Sequence, residues 1–246
     1  TCLKATNGNQ TSGAGAGDFI FFRQRIEAQN VATSGWNYVS ASSDITVSFW
    51  AKSSVAQTFQ VELNSVDGTR RIFAFEFTIS STDTWTKITK TIPGNSGLQF
   101  DNDNGNGLEL VIFLFLGTNS TSSGGSLEAW GNYSDRNTIR KDMASTWYTT
   151  NNATFELTGV QLEVGSKATD FEHEPYCDTV RKCLRYYYAS RADGTLGGVN
   201  LYASGYFGFG LNDNRIGGGG KFPEPMRAVP TLTLVRPGDG ATNAAH

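Results

Sequence analysis

In the stretch ITVSFWAKSS, residues 45 to 54, apolar and polar side chains alternate at nearly every step. Ile45, Val47 and Phe49 fall on one face, and Thr46, Ser48 and Trp50 on the other. A period of two is the signature of a strand that buries one face. The same rhythm recurs in FIFFRQRIEA (19–28), QTFQVEL (57–63), IFAFEFTI (72–79), WTKITKTIPG (85–94) and FELTGVQLEVG (155–165). Asp67-Gly68 sits between two of these runs and predicts a hairpin turn. Leu108–Leu116 is almost continuously apolar apart from Glu109, which predicts a central strand covered on both faces. Between the runs lie glycine, asparagine, serine and threonine, residues that favour turns. Strands this numerous, short and separated by turns predict an all-β chain with a two-sheet β-sandwich over residues 1–174.

Helix signal is thin. The best candidate is CDTVRKCLRYYYA, where Val180, Cys183, Leu184 and Tyr187 share one helical face and Asp178 is placed to cap. It predicts a short connecting helix over 175–189. A small second β domain over 190–246 follows, rich in glycine and aromatics. Its size leaves Tyr206, Phe207, Phe209, Phe222 and Met226 short of a core, so they are expected at an interface between copies of the chain.

Several function classes are disfavoured. The net charge is −3 with no basic stripe, so no nucleic-acid partner is expected. No apolar run approaches the roughly 18 residues that span a bilayer, so no membrane insertion is expected. The cysteines Cys2, Cys177 and Cys183 are odd in number and lack metal-ligand spacing. They are expected to be reduced and mostly buried. The histidines are His173 and His246, and His173 lies between Glu172 and Glu174 after a strand. That arrangement reads as a solvated strand end rather than a triad or a carboxylate pair, and no enzyme activity is expected.

Three other patterns invite a site. Asp101-Asn102-Asp103-Asn104-Gly105 is a run of oxygen donors, so Asp101 and Asp103 are candidate calcium ligands. However, the sixth and twelfth places hold Asn106 and Ile112 rather than the glycine and acid of a helical calcium loop. An Asn/Gly turn without any cofactor is the simpler reading. GAGAGD (13–18) precedes a strand, whereas a phosphate-binding loop precedes a helix. Trp130, Tyr133, Trp147 and Tyr148 lie in loop-like stretches among Ser and Asn. Their rings are candidates to stack on sugars, the alternative being that they plug the sandwich ends.

Two stretches carry a family resemblance. ITVSFWAKSS with QTFQVEL and TWTKITKTIPG resembles the core of jelly-roll carbohydrate-binding modules. Residues 153–188, with VQLE-x-G, AT-x-FE and C-x-RYY, resemble a segment of bacteriophage tail-fibre and other virion proteins, and KFPEPMRAVPT (221–231) resembles its continuation. The resemblance implies a jelly roll followed by a short helix and a small β domain. It implies a structural component of a virion, most naturally a tail-fibre or receptor-binding appendage. The implied partners are other virion proteins, further copies as a homotrimer, and a host cell-surface glycan. A capsid decoration protein of the same build is the alternative, as is a free carbohydrate-binding module or glycan hydrolase. In this reading Val160, Leu162, Phe171, Leu184 and Tyr187 are packing residues.

Overall fold

The computed structural model describes residues 1–8, 12–188, 207–212, 215–219, 222–231, 233–235 and 242–244. The chain divides into two compact units, Thr1–Glu172 and His173–His246.

The first unit holds nine strands: β1 (Leu3–Thr6), β2 (Phe19–Glu27), β3 (Asp44–Ser53), β4 (Gln57–Ser65), β5 (Arg71–Ile79), β6 (Thr86–Pro93), β7 (Asn106–Leu116), β8 (Trp130–Asn132) and β9 (Thr154–Val164). They form a four-stranded sheet in the order β1-β9-β3-β6 and a five-stranded sheet in the order β2-β7-β4-β5-β8. All pairings are antiparallel. Strands one, nine, three and six in one layer, against two, seven, four and five in the other, make a jelly roll, with β8 as an added edge.

The alternation explains which face goes inside. Ile45, Val47, Phe49 and Ala51 of β3 meet Phe59, Val61 and Leu63 of β4 and Phe73, Phe75 and Phe77 of β5 in one core. Phe49 is fully buried, edge-on to Phe77 at 5.3 Å between ring centres. Strand β7 runs between β2 and β4, and it is buried on both faces as its apolar run requires. The 67–68 turn closes the β4–β5 hairpin, with Gly68 at φ +60°, a backbone state that favours glycine.

Strand β9 departs from simple alternation. Thr158 pairs with Trp50 and Gln161 with Ser48, so Gly159 and Val160 bulge opposite Phe49. Gly159 sits at φ +59°. Leu162 returns to the core side and packs against it half-buried, but Val160 turns outward and is exposed. The expected packing role of Val160 is therefore corrected by the bulge.

In the second unit, helix Tyr176–Leu184 starts at Pro175. Asp178 lies in its first turn, and no side-chain hydrogen bond caps it, contrary to expectation. Tyr187 is exposed. Residues 222–227 meet the helix and the turn after it: Arg181 Nε lies 2.8 Å from Glu224 Oε1, and Arg227 N–H donates to the Arg185 carbonyl. The Phe222 ring is edge-on to Tyr188. Two antiparallel ribbons follow, Phe207–Asn212 with Arg215–Gly219 and Thr233–Val235 with Thr242–Ala244. Of the expected interface residues, Phe222 and Met226 are half-buried, Phe207 and Phe209 lie in a ribbon, and Tyr206 lies outside the described residues. All three cysteines are exposed rather than buried, because Cys2 precedes the edge strand β1 and the 176–184 helix buries none of its residues. Among the described residues, no helix is long and apolar enough to cross a membrane.

Candidate functional site

The aromatic residues expected to meet a sugar are not gathered on a surface. A short helix, Thr146–Thr149, plugs one end of the sandwich. Its Trp147 and Tyr148 are only 1% and 8% exposed. Trp147 donates from N to Gln57 Oε1 at 2.8 Å and from Nε1 to the Thr154 carbonyl at 3.1 Å. Tyr148 stacks on Phe115 at 4.6 Å, and its hydroxyl meets Asp18 Oδ2 at 3.0 Å. The same Asp18 oxygen accepts from Gly15 N, so the 13–18 segment is a closed turn. Trp130 is half-buried against Phe73 and donates to the Pro93 carbonyl at 2.7 Å. Tyr133 is half-buried, with the guanidinium of Arg70 3.6 Å from its ring centre and that of Arg136 at 4.8 Å. Neither Trp147 nor Tyr148 has a free face to offer, and the Tyr133 ring is already engaged by cations.

The exposed aromatic surface lies elsewhere, on the outer face of the four-stranded sheet. The phase that buries Phe49 turns Trp50 outward, 40% exposed, and Trp85 at the start of β6 is 38% exposed. Lys52 Nζ sits 5.3 Å from the Trp85 ring centre and 3.1 Å from Glu156 Oε2, so Trp85, Lys52 and Glu156 share this face. The Lys52 hydrogen bond is the main cause holding the Glu156 carboxyl below its ordinary range, with smaller help from Cys2 and Lys4. The segment 165–172 crosses the same face and is fastened to it. Thr46 Oγ1 donates to the Gly165 carbonyl, Gln161 Oε1 accepts from Glu172 N, and Glu163 accepts from Thr169 N and Oγ1. Gln161 and Thr169 draw the Glu163 carboxyl downward as well. This segment brings Phe171, exposed rather than packed away, over Gly159 beside Trp50. Trp85 just ahead of β6, Trp50 on β3 and Phe171 over β9 thus form a diagonal row across three adjacent strands. At about 4.8 Å per strand the row spans roughly 10 Å across the sheet.

The outer face of the five-stranded sheet is differently built. The segment following β7 folds over it and is pinned by Arg140. Arg140 meets Glu62 with two hydrogen bonds, Nε to Oε2 at 2.5 Å and Nη2 to Oε1 at 2.8 Å. Burial alone would lower the Arg140 pKa, but the Glu62 carboxylate outweighs it and raises it. Ile139 packs on Ile72 and Ala74, and Met143 on Val111 and Phe113. On the same face lies Glu109, with Arg25 Nε at 3.1 Å, Arg70 Nη2 at 3.2 Å and Arg23 Nη1 at 3.7 Å. Asn106 Nδ2 donates to it at 2.9 Å.

The acidic turn at 101–105 is held by its own bonds. Asp103 Oδ1 accepts from Gly105 N, Asp101 Oδ1 accepts from Gln99 Nε2, and Asp101 N donates to Asp67 Oδ2. Burial first, then the charges of Asp101 and Asp103, raise the Asp67 pKa. Among the described residues, no group of three His, Cys, Asp or Glu side chains is arranged to hold a metal ion. Glu172, His173 and Glu174 are all exposed.

No family model matches the chain, and no curated protein matches its sequence. Solved structures similar to it include a family 16 carbohydrate-binding module, at 13% identity and a TM-score of 0.31, covering 65% of this chain and 74% of that one. Another is a CBM4 structure, at 11% identity and a TM-score of 0.32, covering 67% and 82%.

Proposed function

We propose that the protein is a non-catalytic glycan-binding module that works through the outer face of its four-stranded sheet. The observation that carries this reading is the pair of exposed indoles, Trp50 within β3 and Trp85 at the entry to β6. An indole face matches the apolar face of a pyranose, and a sheet holds it without a loop-ordering cost. Lys52, Glu156 and Thr158 stand on neighbouring strands to meet hydroxyl groups.

The setting we propose is a bacteriophage virion, as part of a tail fibre or receptor-binding appendage. Other virion proteins would be its neighbours, a homotrimer its working state, and a host-surface glycan its target. This finer reading rests on the VQLE-to-RYY segment and its resemblance to virion proteins. Weak single sites repeated three times would then add up through avidity.

A panel of soluble neutral oligosaccharides, titrated by calorimetry, tests the binding. Trp50→Ala and Trp85→Ala are each expected to weaken the best binder at least tenfold, or about 1.4 kcal/mol. A double variant that binds like the parent would overturn the site. Antibody detection in purified particles tests the setting separately, and absence from particles would remove it while leaving the binding intact.

A further inference from the structure

We infer a second binding site, for an anionic sugar residue, at the arginine-lined end of the outer face of the five-stranded sheet. The inference shares the glycan reading above but uses none of the same residues.

The site is built around Glu109, whose side chain is only 4% exposed. Strand pairing sets Arg25 of β2 opposite Glu109 on one side and Asn64 of β4 opposite it on the other. Arg23 follows two residues along β2 on the same face, and Arg70 reaches in from the turn before β5. One carboxylate is thus shared by three guanidinium groups. Nearby Glu62 does not change that balance, because Arg140 already pairs with it. Glu27, at the end of β2, accepts from Gln29.

The hydrogen bonding is also incomplete. Asn64 is 1% exposed, and its Nδ2 is used by Glu62 Oε1 at 2.7 Å, but its Oδ1 has no partner. Asn106 Oδ1 and Arg70 Nε are likewise buried without partners. A polar atom buried in this way is costly, and native structures satisfy most of them. The unsatisfied set mixes acceptors and a donor. A bare anion supplies acceptors only, whereas a sugar hydroxyl both donates and accepts. The excess of guanidinium groups calls for a carboxylate or sulfate. A uronic acid residue carries both. Its carboxylate would pair with the more exposed Arg23 and Arg25, and with Arg25 drawn off Glu109 its hydroxyls would reach Asn64, Asn106 and Arg70 beneath.

The test is titration of the whole chain with tetragalacturonate, a neutral tetrasaccharide and inorganic sulfate. Tetragalacturonate is expected to bind at low salt, to weaken as salt rises, and to shift the Arg70 Nε–H resonance. Arg23→Gln with Arg25→Gln is expected to weaken it at least tenfold, with Arg70 and Asn106 still holding Glu109. Arg25→Gln alone is the milder variant should the double one unfold early. The neutral tetrasaccharide, titrated in parallel, reads the indole row alone, so the two sites fail separately. Sulfate binding as tightly as the tetrasaccharide would overturn the sugar assignment. No binding of tetragalacturonate, or equal binding by the arginine variants, would overturn the site.

Discussion

Replacing Arg140 with leucine tests how the outer face of the five-stranded sheet is closed. Arg140 and Glu62 are 78 residues apart, and their side chains are 8% and 1% exposed. Arg140→Leu removes both hydrogen bonds and the cation above the Phe113 ring, at 5.3 Å. Glu62 then keeps one neutral donor, Asn64 Nδ2, for a buried carboxylate. Breaking one side of a buried ion pair typically costs about 3–5 kcal/mol. In a unit of this size each kcal/mol lowers Tm by about 2–4 °C, so a fall of roughly 10 °C is expected. Glu62→Leu with Arg140→Leu removes the stranded charge and is expected to recover most of the loss. A residue of about 1–2 kcal/mol should remain, because Asn64 Nδ2 loses its acceptor. Urea unfolding followed by tryptophan fluorescence supplies all four corners of the cycle, with unchanged slopes as the check on two-state behaviour. A single variant that loses under about 1 kcal/mol would refute the view that Arg140 pins the covering segment.

Phe49→Ala should cost about 3–5 kcal/mol, since its side chain is fully buried among Phe77 and its neighbours. Leu162→Ala, at a half-buried position, should cost less; equal losses in denaturant titration would contradict the bulge at Gly159. Acid sensitivity should change in opposite directions at two carboxyls. The Glu156 pKa is lowered by folding, so its stabilisation is present above the ordinary carboxylate range and is lost as pH falls. Glu156→Gln should therefore be less stable than the parent near pH 7 and converge with it in acid. The Asp67 pKa is raised, so its contribution is best when protonated and is lost as pH rises. Asp67→Asn can still accept the bond from Asp101 N, and it should gain less than about 1 kcal/mol near pH 7 and nothing in acid. Parallel thermal melts from pH 3 to 8 give both signs, and matching slopes would refute the assigned causes.

Much of the fold was legible because a two-residue period carries phase as well as secondary structure. The pattern that places Ile45, Val47 and Phe49 inside also places Trp50 outside, and the rhythm of WTKITKTIPG sets Trp85 opposite Ile88 and Ile92, so both exposed indoles could be read from the sequence. Loops more often carry binding residues, which favours the loop-like aromatics at 130–148 over an indole in mid-strand. Trp147 and Tyr148 occupy a four-residue helix, too short to show any period, and only the packing of Gln57, Phe115 and Thr154 against them reveals a plug. Glu62 and Arg140 meet through topology alone. Val160 escaped because one positive-φ glycine shifts the register.

The same limit applies to Glu109, which in the sequence is only an interruption in an apolar run. Its meaning depends on which strand lies beside it. Strand β2 is an edge of its sheet, and edges commonly carry charges that discourage pairing with another chain. Arg23 and Arg25 could serve that purpose by pointing into solvent. Instead they converge on a carboxylate that Arg70 and Asn106 already engage, beside an asparagine oxygen left without a partner. Guarding an edge requires charge but not convergence, and a structural ion pair requires one arginine rather than three. The surplus charge and the open hydrogen bonds occur at the same place, on the part of the face beyond the Arg140 pin. The covering segment therefore does two things to this sheet: it buries Ile72, Ala74, Val111 and Phe113, and through Tyr133 it rests on Arg70 at the border of the polar floor.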